Sequence, residues 1–262
     1  MADFSDLPKR TLSAVVICCL GLAAIVLGGV VFSLFACAWS LAMTFELIAL
    51  SSPNYPFKNR IVLAIAMSAA CAISIFWIVN SAFELPFMAV FTLLCAMALP
   101  NGRLKFCVFG IGIVLAASAF AELRQFNGAV SAIWFISVVA ASDIAGYFFG
   151  KIFGGPLIVP EISPGKRWTG AAAGLVAAAA VGFGFSGSLG TWVSWASPLL
   201  AVTAQAGDIA ESWLKRKAGV KDSSSAIPGH GGFLDRFDSY VGAGSLLWLI
   251  GALGLVPTEP PL

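Results

Sequence analysis

Long apolar segments follow one another along almost the whole chain, and they limit the folds that it can adopt. A membrane-spanning helix needs about 20 mostly apolar residues. Hydrophobic residues make up 59% of the 262 residues and charged residues only 11%, whereas a soluble domain carries about 25% charged residues. The sequence therefore predicts an all-α, polytopic integral membrane protein.

Cutting the sequence at glycine, proline and charged residues divides it into about nine candidate spans. The predicted spans are 12–28, 30–50, 60–79, 83–99, 105–121, 129–149, 170–186, 190–210 and 238–256. If the N-terminus is cytoplasmic, the cytoplasmic segments hold 14 of the 15 Lys and Arg residues, all except Arg124. The positive-inside rule favours this orientation, so we predict nine spans with the N-terminus in the cytoplasm.

Charged side chains concentrate in one segment near the C-terminus. Residues 207–238 carry five acidic and five basic residues, 10 of the 28 Lys, Arg, Asp and Glu residues in the chain. A segment that only orients the chain would need basic residues alone. No basic tail or basic patch interleaved with aromatic residues is present, so no nucleic-acid partner is expected.

The spacing of these charges predicts where they lie. On a helix that continues the eighth span into the cytoplasm, one face would carry residues at positions i, i+3, i+4 and i+7, namely Asp208, Glu211, Ser212 and Lys215. Asp235 and Asp238 stand where the ninth span begins. If the connecting loop folds back, the two helix ends meet at the membrane surface.

Aspartates with a hydroxyl nearby are typical oxygen ligands for Mg²⁺, which commonly also contacts substrate phosphates. Four basic residues could neutralise those phosphates: Lys215, Arg216, Lys221 and Arg236. Gly229, Gly231 and Gly232 allow the backbone to approach an anion closely. The alternative is an ordinary i,i+4 ion pair between Glu211 and Lys215 in an otherwise solvated loop.

Two of the carboxylates inside predicted spans are singled out for that position. Asp143 is in the sixth span and Glu46 is near one end of the second. An intramembrane carboxylate is by default a functional candidate with a cationic partner or a water-filled cavity. Of the two, Asp143 is the stronger candidate.

The charged segment also resembles a family signature. The pattern is Ser212-x-x-Lys215-Arg216-x-x-x-x-Lys221-Asp222, continuing to Pro228-x-His230-Gly231-Gly232-x-x-Asp235-Arg236-x-Asp238. It is similar to the signature of the CDP-diacylglycerol synthases, the phosphatidate cytidylyltransferases. Similar motifs lie nearby: Gly207-Asp208-x-x-Glu211, Asp143-x-x-x-Tyr147-Phe148-x-Gly150 and Ser163-Pro164-x-Lys166. The resemblance covers the C-terminal half, so residues 129–262 are predicted to be the catalytic region and residues 1–128 to hold the first five spans.

The resemblance implies that the protein makes CDP-diacylglycerol and pyrophosphate from phosphatidic acid and CTP. A phosphate oxygen of the lipid would attack the α-phosphorus of CTP in line with the leaving pyrophosphate. The implied cofactor is Mg²⁺, alone or with a second metal ion. The resemblance also implies a homodimer in the bilayer of the bacterial cytoplasmic membrane, with the active site on the cytoplasmic side.

Residue roles follow from the same resemblance. Asp208 and Asp235 are the first metal-ligand candidates, followed by Asp238, Asp222 and Ser212. The phosphates would contact Lys215, Arg216, Lys221 and Arg236, and His230 would contact a phosphate or another ligand group. The other expected substrate-binding residues are Asp143, Ser163, Lys166, Glu211, Gly231 and Gly232. One segment departs from the family pattern, because Arg167-Trp168-Thr169 follows Lys166 where the family usually has threonine, a variable residue and a glutamate or glutamine.

Two other functions stay open at this point. A CTP-dependent polyprenol kinase would release CDP rather than pyrophosphate. An ion-coupled transporter would use Asp143 and Asp208 as intramembrane sites, although no internal repeat supports that alternative.

Overall fold

The protein is a bundle of helices with one short hairpin. The computed structural model describes residues 7–77 and 81–256, with the backbone alone for residues 7–10 and for 81 and 82. In these residues the elements, in chain order, are α1 (Leu7–Leu27), α2 (Gly29–Ser51), α3 (Phe57–Trp77), α4 (Ser81–Met97), α5 (Arg103–Phe153), β1 (Leu157–Val159), β2 (Ser163–Arg167), α6 (Trp168–Leu189), α7 (Trp192–Lys217) and α8 (Leu234–Ala252). Residues 78 and 79 of the third predicted span lie outside the described residues, as do residues 1–6 and 257–262 of the two predicted regions.

Four of the described helices are long and apolar enough to cross a membrane: α2, α3, α5 and α6. Two shorter apolar helices lie within α1 and α4. Helices suit this environment because they satisfy their backbone hydrogen bonds internally. The fold thus agrees with the predicted all-α membrane protein, whereas the count of nine spans stays a prediction.

Helix α5 is 51 residues long and contains a sharp break at Gly128, where φ is 82° and ψ is −175°. Only glycine adopts such a conformation easily. The fifth and sixth predicted spans are therefore joined by helix up to the break rather than by a loop. The break falls where we divided the chain into N-terminal and catalytic regions, and that division stays a prediction.

Glycines let pairs of helices cross with their backbones in contact, as is common in membrane proteins. A Cβ atom on Gly170 of α6 would overlap the carbonyl oxygen of Gly146 on α5. A Cβ atom on Gly242 of α8 would overlap the carbonyl oxygen of Thr203 on α7, and one on Gly207 would lie 2.6 Å from the carbonyl oxygen of Asp238. The α7–α8 crossing therefore lies beside Asp208 and Asp238.

Buried apolar side chains form two main clusters. One lies among α2 to α5 and includes Met43, Met67 and Ile113. The other lies among α5 to α8 and includes Val138 and Leu200. Many large apolar side chains on the outside of the bundle are exposed, as expected for a surface that faces lipid.

The hairpin of β1 and β2 lies in the segment 150–169, which the sequence indicated only as polar. Residues of the departing Arg167-Trp168-Thr169 segment attach this hairpin to the end of α5. The Arg167 guanidinium donates a hydrogen bond to the carbonyl oxygen of Gly155 at 2.6 Å, and the Thr169 hydroxyl donates one to the carbonyl oxygen of Gly154. This attachment fixes Ser163 and Lys166 relative to α5.

Candidate active site

A cavity of about 760 Å³ lies among the C-terminal end of α5, the hairpin, α6, α7 and the N-terminal end of α8. It is lined by nine of the residues that the sequence indicated: Asp143, Ser163, Lys166, Asp208, Lys215, Asp222, Asp235, Arg236 and Asp238. These side chains come from positions up to 95 residues apart in the chain, and the fold brings them to one place.

A second cavity, of about 380 Å³, lies within the loop between α7 and α8. Its lining includes Lys221, His230 and Gly231, and it shares Asp222 and Arg236 with the larger cavity. The two cavities therefore adjoin. The loop is closed by a hydrogen bond from the Arg236 guanidinium to the carbonyl oxygen of His230 at 2.8 Å, and the buried Nδ1 atom of His230 has no hydrogen-bond partner among the described residues.

Lys215 joins the end of α7 to the start of α8. Its Nζ atom lies 2.6 Å from Glu211 Oε2 and 2.6 Å from Asp235 Oδ1. The i,i+4 pair that the sequence allowed as the ordinary alternative is thus present, but the same ammonium group also pairs with the aspartate of the next helix. The expected meeting of the two helix ends is observed.

Glu211, Lys215 and Asp235 lie beyond the predicted spans 190–210 and 238–256, and their surroundings shift the pKa of each one. Burial raises the pKa of Glu211 to about 8, against the opposing effect of Lys215. Burial also acts to raise the pKa of Asp235, but hydrogen bonds from Lys215 and from the backbone N–H groups of Gly232 and Ser223 outweigh it, so this pKa is lowered. Desolvation acts to lower the pKa of Lys215, and its two carboxylate partners outweigh it, so this pKa is raised. Near neutral pH the charged pair is therefore Lys215 with Asp235.

A second lysine pairs with the other first-choice aspartate. Lys166 Nζ lies 2.5 Å from Asp208 Oδ2 and donates a hydrogen bond to the carbonyl oxygen of Gln205 at 3.1 Å. Ser212 Oγ donates to Asp208 Oδ1 at 3.4 Å. The hairpin and α7 are thus held together across the larger cavity by a lysine–aspartate pair.

The donor set suits a hard divalent cation, although the described residues show no preformed metal site. No group of three or more His, Cys, Asp or Glu side chains in residues 7–77 and 81–256 is close enough to hold a metal ion. However, Asp143, Asp208 and Asp238 line one cavity and are close enough to repel one another when ionised. Carboxylate oxygens are the ligands that Mg²⁺ prefers, so the chemistry of these residues fits the ion.

Some of the predicted residues line neither of the two cavities: Glu211, Ser212, Arg216 and Gly232. The Arg216 guanidinium donates to the carbonyl oxygens of Ile162 and Val220, both at 3.4 Å. Glu211 is buried beside Lys215. The structure therefore gives Arg216 a contact with the hairpin, and its predicted phosphate contact stays a prediction.

The larger cavity also contains residues that the sequence did not single out. Lys151 had been counted only as a topology residue, yet it lines the cavity together with Tyr147. Its Nζ atom lies 5.7 Å above the centre of the Tyr147 ring, within the range of a cation–π interaction. The available signal was the spacing, because Lys151 follows Tyr147 by one helical turn. Gln205 is a further lining residue of this kind, and Arg167, from the segment that departs from the family pattern, also lines the cavity.

An apolar helix bundle with a charged cavity at one end is typical of an integral membrane protein that holds a polar site. The comparisons with known proteins agree. The sequence profile of the cytidylyltransferase family matches residues 8–253. The chain therefore belongs to the cytidylyltransferase family.

Individual relatives support the same family. The phosphatidate cytidylyltransferase of Brucella suis biovar 1 is 34% identical over an alignment of 270 positions, gaps included, which covers 98% of this chain and 97% of that protein. The Helicobacter pylori protein of the same name is 42% identical over 156 residues, 58% of this chain and 54% of its own length. Phosphatidate cytidylyltransferase 5, chloroplastic, of Arabidopsis thaliana is 46% identical over 120 residues, 42% of this chain and 29% of its own. The resemblance drawn from the signature is confirmed, as is the predicted enzyme class, a nucleotidyltransferase.

Proposed function

We propose that this protein makes CDP-diacylglycerol and pyrophosphate from phosphatidic acid and CTP. The observation that carries the proposal is the cavity of about 760 Å³, in which Lys166, Lys215 and Arg236 face Asp208, Asp235 and Asp238. The names of the relatives support the same reaction. Nucleotidyl transfer between two polyanions needs such a site, because the protein must neutralise and position phosphates.

The chemistry requires no side-chain nucleophile. An oxygen of the ionised lipid phosphate forms a bond to the α-phosphorus of CTP, and the bond from that phosphorus to the β-phosphate oxygen breaks, so pyrophosphate leaves. Because the attacking oxygen is already ionised, no serine–histidine activation is needed. The residues bind and orient both phosphates, which converts a reaction between two molecules into one within a bound complex.

Lysines paired with aspartates are well suited to exchange partners. In the structure Lys166 and Lys215 neutralise Asp208 and Asp235. When substrate phosphates arrive, each ammonium can contact a phosphate oxygen. The freed carboxylates would then hold Mg²⁺. The further candidate ligands are Asp238 and then Asp222 and Ser212. The ion, alone or with a second one, supplies positive charge against the phosphate oxygens when bound.

The lipid is proposed to reach the larger cavity past Tyr147 and Lys151. Both residues are exposed at the C-terminal end of α5, close to exposed aromatic residues such as Phe148 and Phe153. Aromatic side chains and lysines are typical of the membrane–water interface. Lys151 would meet the lipid phosphate there while the acyl chains stay in the bilayer.

Replacing Lys151 by alanine should weaken the enzyme toward its lipid substrate. Loss of one charge-assisted contact to phosphate costs about 1.5 kcal/mol, so the KM for phosphatidic acid should rise on the order of ten-fold while the KM for CTP stays near wild type. Initial rates measured over a series of lipid mole fractions in mixed micelles give both values. Lys217→Ala is the matched control, because Lys217 is also exposed but lines neither cavity. Equal effects of the two substitutions would contradict a role for Lys151 at the site.

We also propose nine spans, a cytoplasmic N-terminus and an active site on the cytoplasmic face of a bacterial inner membrane. A hydrogen bond from Ser13 Oγ to the carbonyl oxygen of Pro228, at 3.0 Å, supports this because it brings the start of α1 to the end of the bundle that carries the signature loop. The distribution of basic residues supports the orientation. The homodimer implied by the resemblance stays a prediction, which light scattering of the purified protein in detergent would test.

CTP labelled at two positions tests the proposed reaction. Purified protein in detergent, given phosphatidic acid, Mg²⁺ and CTP, should incorporate a label on the cytosine ring into the lipid. A label on the γ-phosphate should leave as pyrophosphate. A chelator of divalent ions should stop both the incorporation of the cytosine label and the release of labelled pyrophosphate. Transfer of the γ-label to the lipid would identify a lipid kinase instead, and a lack of any lipid product would refute the proposal.

The same reaction in sealed vesicles tests the orientation, because CTP does not cross a bilayer. Inside-out vesicles should react with added CTP at once, whereas right-side-out vesicles should react only after detergent opens them. The reverse result would invert the proposed topology.

A further inference from the structure

A buried carboxylate outside the signature segment contacts the signature loop. Glu46 lies on α2 and is 2% exposed. It accepts four hydrogen bonds, all from the segment 223–234: from Ser223 Oγ at 2.8 Å, Ser224 Oγ at 2.6 Å, Phe233 N at 2.9 Å and Leu234 N at 2.7 Å. One side chain of the N-terminal region thus contacts both ends of the loop that lines the second cavity.

We propose that Glu46 is a positioning residue, which holds the signature loop and Asp235 in the geometry that nucleotidyl transfer needs. This inference rests on the proposed function of the same site. Glu46 lines neither cavity, so it acts through its neighbours and not by contact with substrate.

The link to the catalytic carboxylate runs through Ser223. The hydroxyl group of Ser223 lies 2.8 Å from Glu46 Oε2 and 3.0 Å from Asp235 Oδ2. The backbone N–H of Ser223 donates to the same Asp235 oxygen at 2.8 Å, as does that of Gly232 at 2.8 Å. A shift of the loop away from Glu46 would therefore also move the donors that orient Asp235.

The position favours a carboxylate, since all four neighbours donate to it and two of them, the backbone N–H groups of Phe233 and Leu234, can only donate. An ionised carboxylate offers acceptors only. The Phe233 and Leu234 N–H groups lie at the first turn of α8, where they have no partner within the helix, and a negative charge is favourable at that end of a helix. Each oxygen of Glu46 accepts from one of these N–H groups, so glutamine in either orientation would turn its N–H₂ group toward a backbone N–H and leave that N–H unsatisfied.

The backbone of the loop is fitted closely to this carboxylate. A Cβ atom on Gly232 would overlap Ser223 Oγ and lie 2.5 Å from Glu46 Oε2. This contact explains why a glycine in the signature serves the site although it lines neither cavity.

A second buried carboxylate provides a matched control. Glu84, on α4, is also 2% exposed and accepts hydrogen bonds from Ser74 Oγ at 2.5 Å, Ser118 Oγ at 2.5 Å and Trp248 Nε1 at 2.7 Å. It has the same chemistry and burial as Glu46, but its partners lie away from the signature loop and it lines neither cavity.

The experiment compares Glu46→Gln with Glu84→Gln in the full-length protein. Glu46→Gln should lower kcat by ten-fold to about a hundred-fold, as small displacements of positioned groups do, with a much smaller change in the KM for CTP. Amide hydrogen exchange in residues 223–235 should rise, while that in α6 stays as in the wild type. Glu84→Gln should keep kcat within about two-fold of the wild-type value, even if it lowers the melting temperature as much as Glu46→Gln does.

Wild-type kcat and wild-type exchange in Glu46→Gln, or an equal loss of kcat in Glu84→Gln, would overturn the proposal. If Glu46→Gln does not fold, Ser223→Ala serves in its place, because it removes the hydroxyl bridge and keeps both backbone donors to Asp235. That variant should show raised exchange in residues 224–235 and a several-fold lower kcat, and unchanged values of both would overturn the proposal. Hydrogen exchange does not depend on the reaction, so a wild-type protein that makes no CDP-diacylglycerol would refute the proposed function and still leave the role of Glu46 measurable.

Discussion

Asp235→Asn is expected to lower the rate of CTP incorporation by at least about 100-fold, the range found when one preorganised charged group is lost from an active site. Asp235 is the acceptor for Lys215 and for the backbone N–H groups of Ser223 and Gly232. Asparagine keeps the volume of the side chain but removes its charge. It therefore binds Mg²⁺ poorly and cannot accept a hydrogen bond from every donor around it. A higher Mg²⁺ concentration should restore only the part of the rate that is lost through weaker metal binding.

The same substitution should leave the fold largely intact. Lys215 keeps a second carboxylate, because Glu211 lies 2.6 Å from the same ammonium. Burial raises the pKa of Glu211 to about 8 while Asp235 is ionised nearby, and the loss of that neighbouring charge makes ionisation of Glu211 easier. The lysine thus exchanges one partner for another and is not left as an unpaired buried charge, which would cost about 3–5 kcal/mol.

Turnover and folding are measured separately for this variant. Incorporation of cytidine-labelled CTP gives the rate, and gel filtration with a thermal melt in detergent reports the fold. Glu161→Gln is the control, since Glu161 is an exposed acid in the turn between β1 and β2 that lines neither cavity, and it should keep wild-type activity. Near-normal activity of Asp235→Asn would remove this residue from the catalytic site.

The helices could be predicted from the sequence because a membrane segment must satisfy its own backbone, so a long apolar run has few alternatives. The helical end of α7 could also be predicted, from the spacing of its charged residues. The spacing of Asp208, Glu211 and Lys215 placed them on one helical face, and two of these residues now line the larger cavity.

Helix geometry also explains why Arg216 lines neither cavity although it is part of the signature. Lys215 and Arg216 are adjacent in the signature, and both were expected to contact phosphates. Neighbouring residues on a helix point about 100° apart and do not face each other. Lys215 faces α8, whereas Arg216 faces the hairpin, so the motif alone could not assign both to one site.

Contacts between distant segments could not be predicted, because periodicity does not say which helices pack together. Glu46 and Leu234 are 188 residues apart, and only the packing of α2 against the start of α8 makes them neighbours. The sequence flagged Glu46 as an intramembrane carboxylate but offered no partner for it. The hairpin was missed for a related reason: β1 is only three residues long, and β2 contains Gly, Pro and charged residues that are typical of loops.

The second large effect is expected at the crossing of α7 and α8, where Gly242→Val should prevent correct assembly. The Cβ atom alone would overlap the carbonyl oxygen of Thr203, and valine adds two further methyl groups. Backbone cannot yield as a flexible side chain does, so the helices must separate at a cost of about 3 kcal/mol or more. The yield of monodisperse protein in detergent and its melting temperature should both fall sharply.

A graded series makes this test specific for the crossing. Gly207→Ala places its Cβ atom 2.6 Å from the carbonyl oxygen of Asp238, so it should fold with a smaller loss of stability, yet lose activity because Asp208 and Asp238 are pushed apart. Gly184→Val on α6 is the control, since a Cβ atom at Gly184 would meet no atom of the described residues within 4 Å, and it should behave as the wild type. If Gly242→Val instead melts as the wild type does, α7 and α8 do not cross in backbone contact. The presence of Asp208 and Asp238 in one cavity would then have to be explained by another arrangement of the two helices.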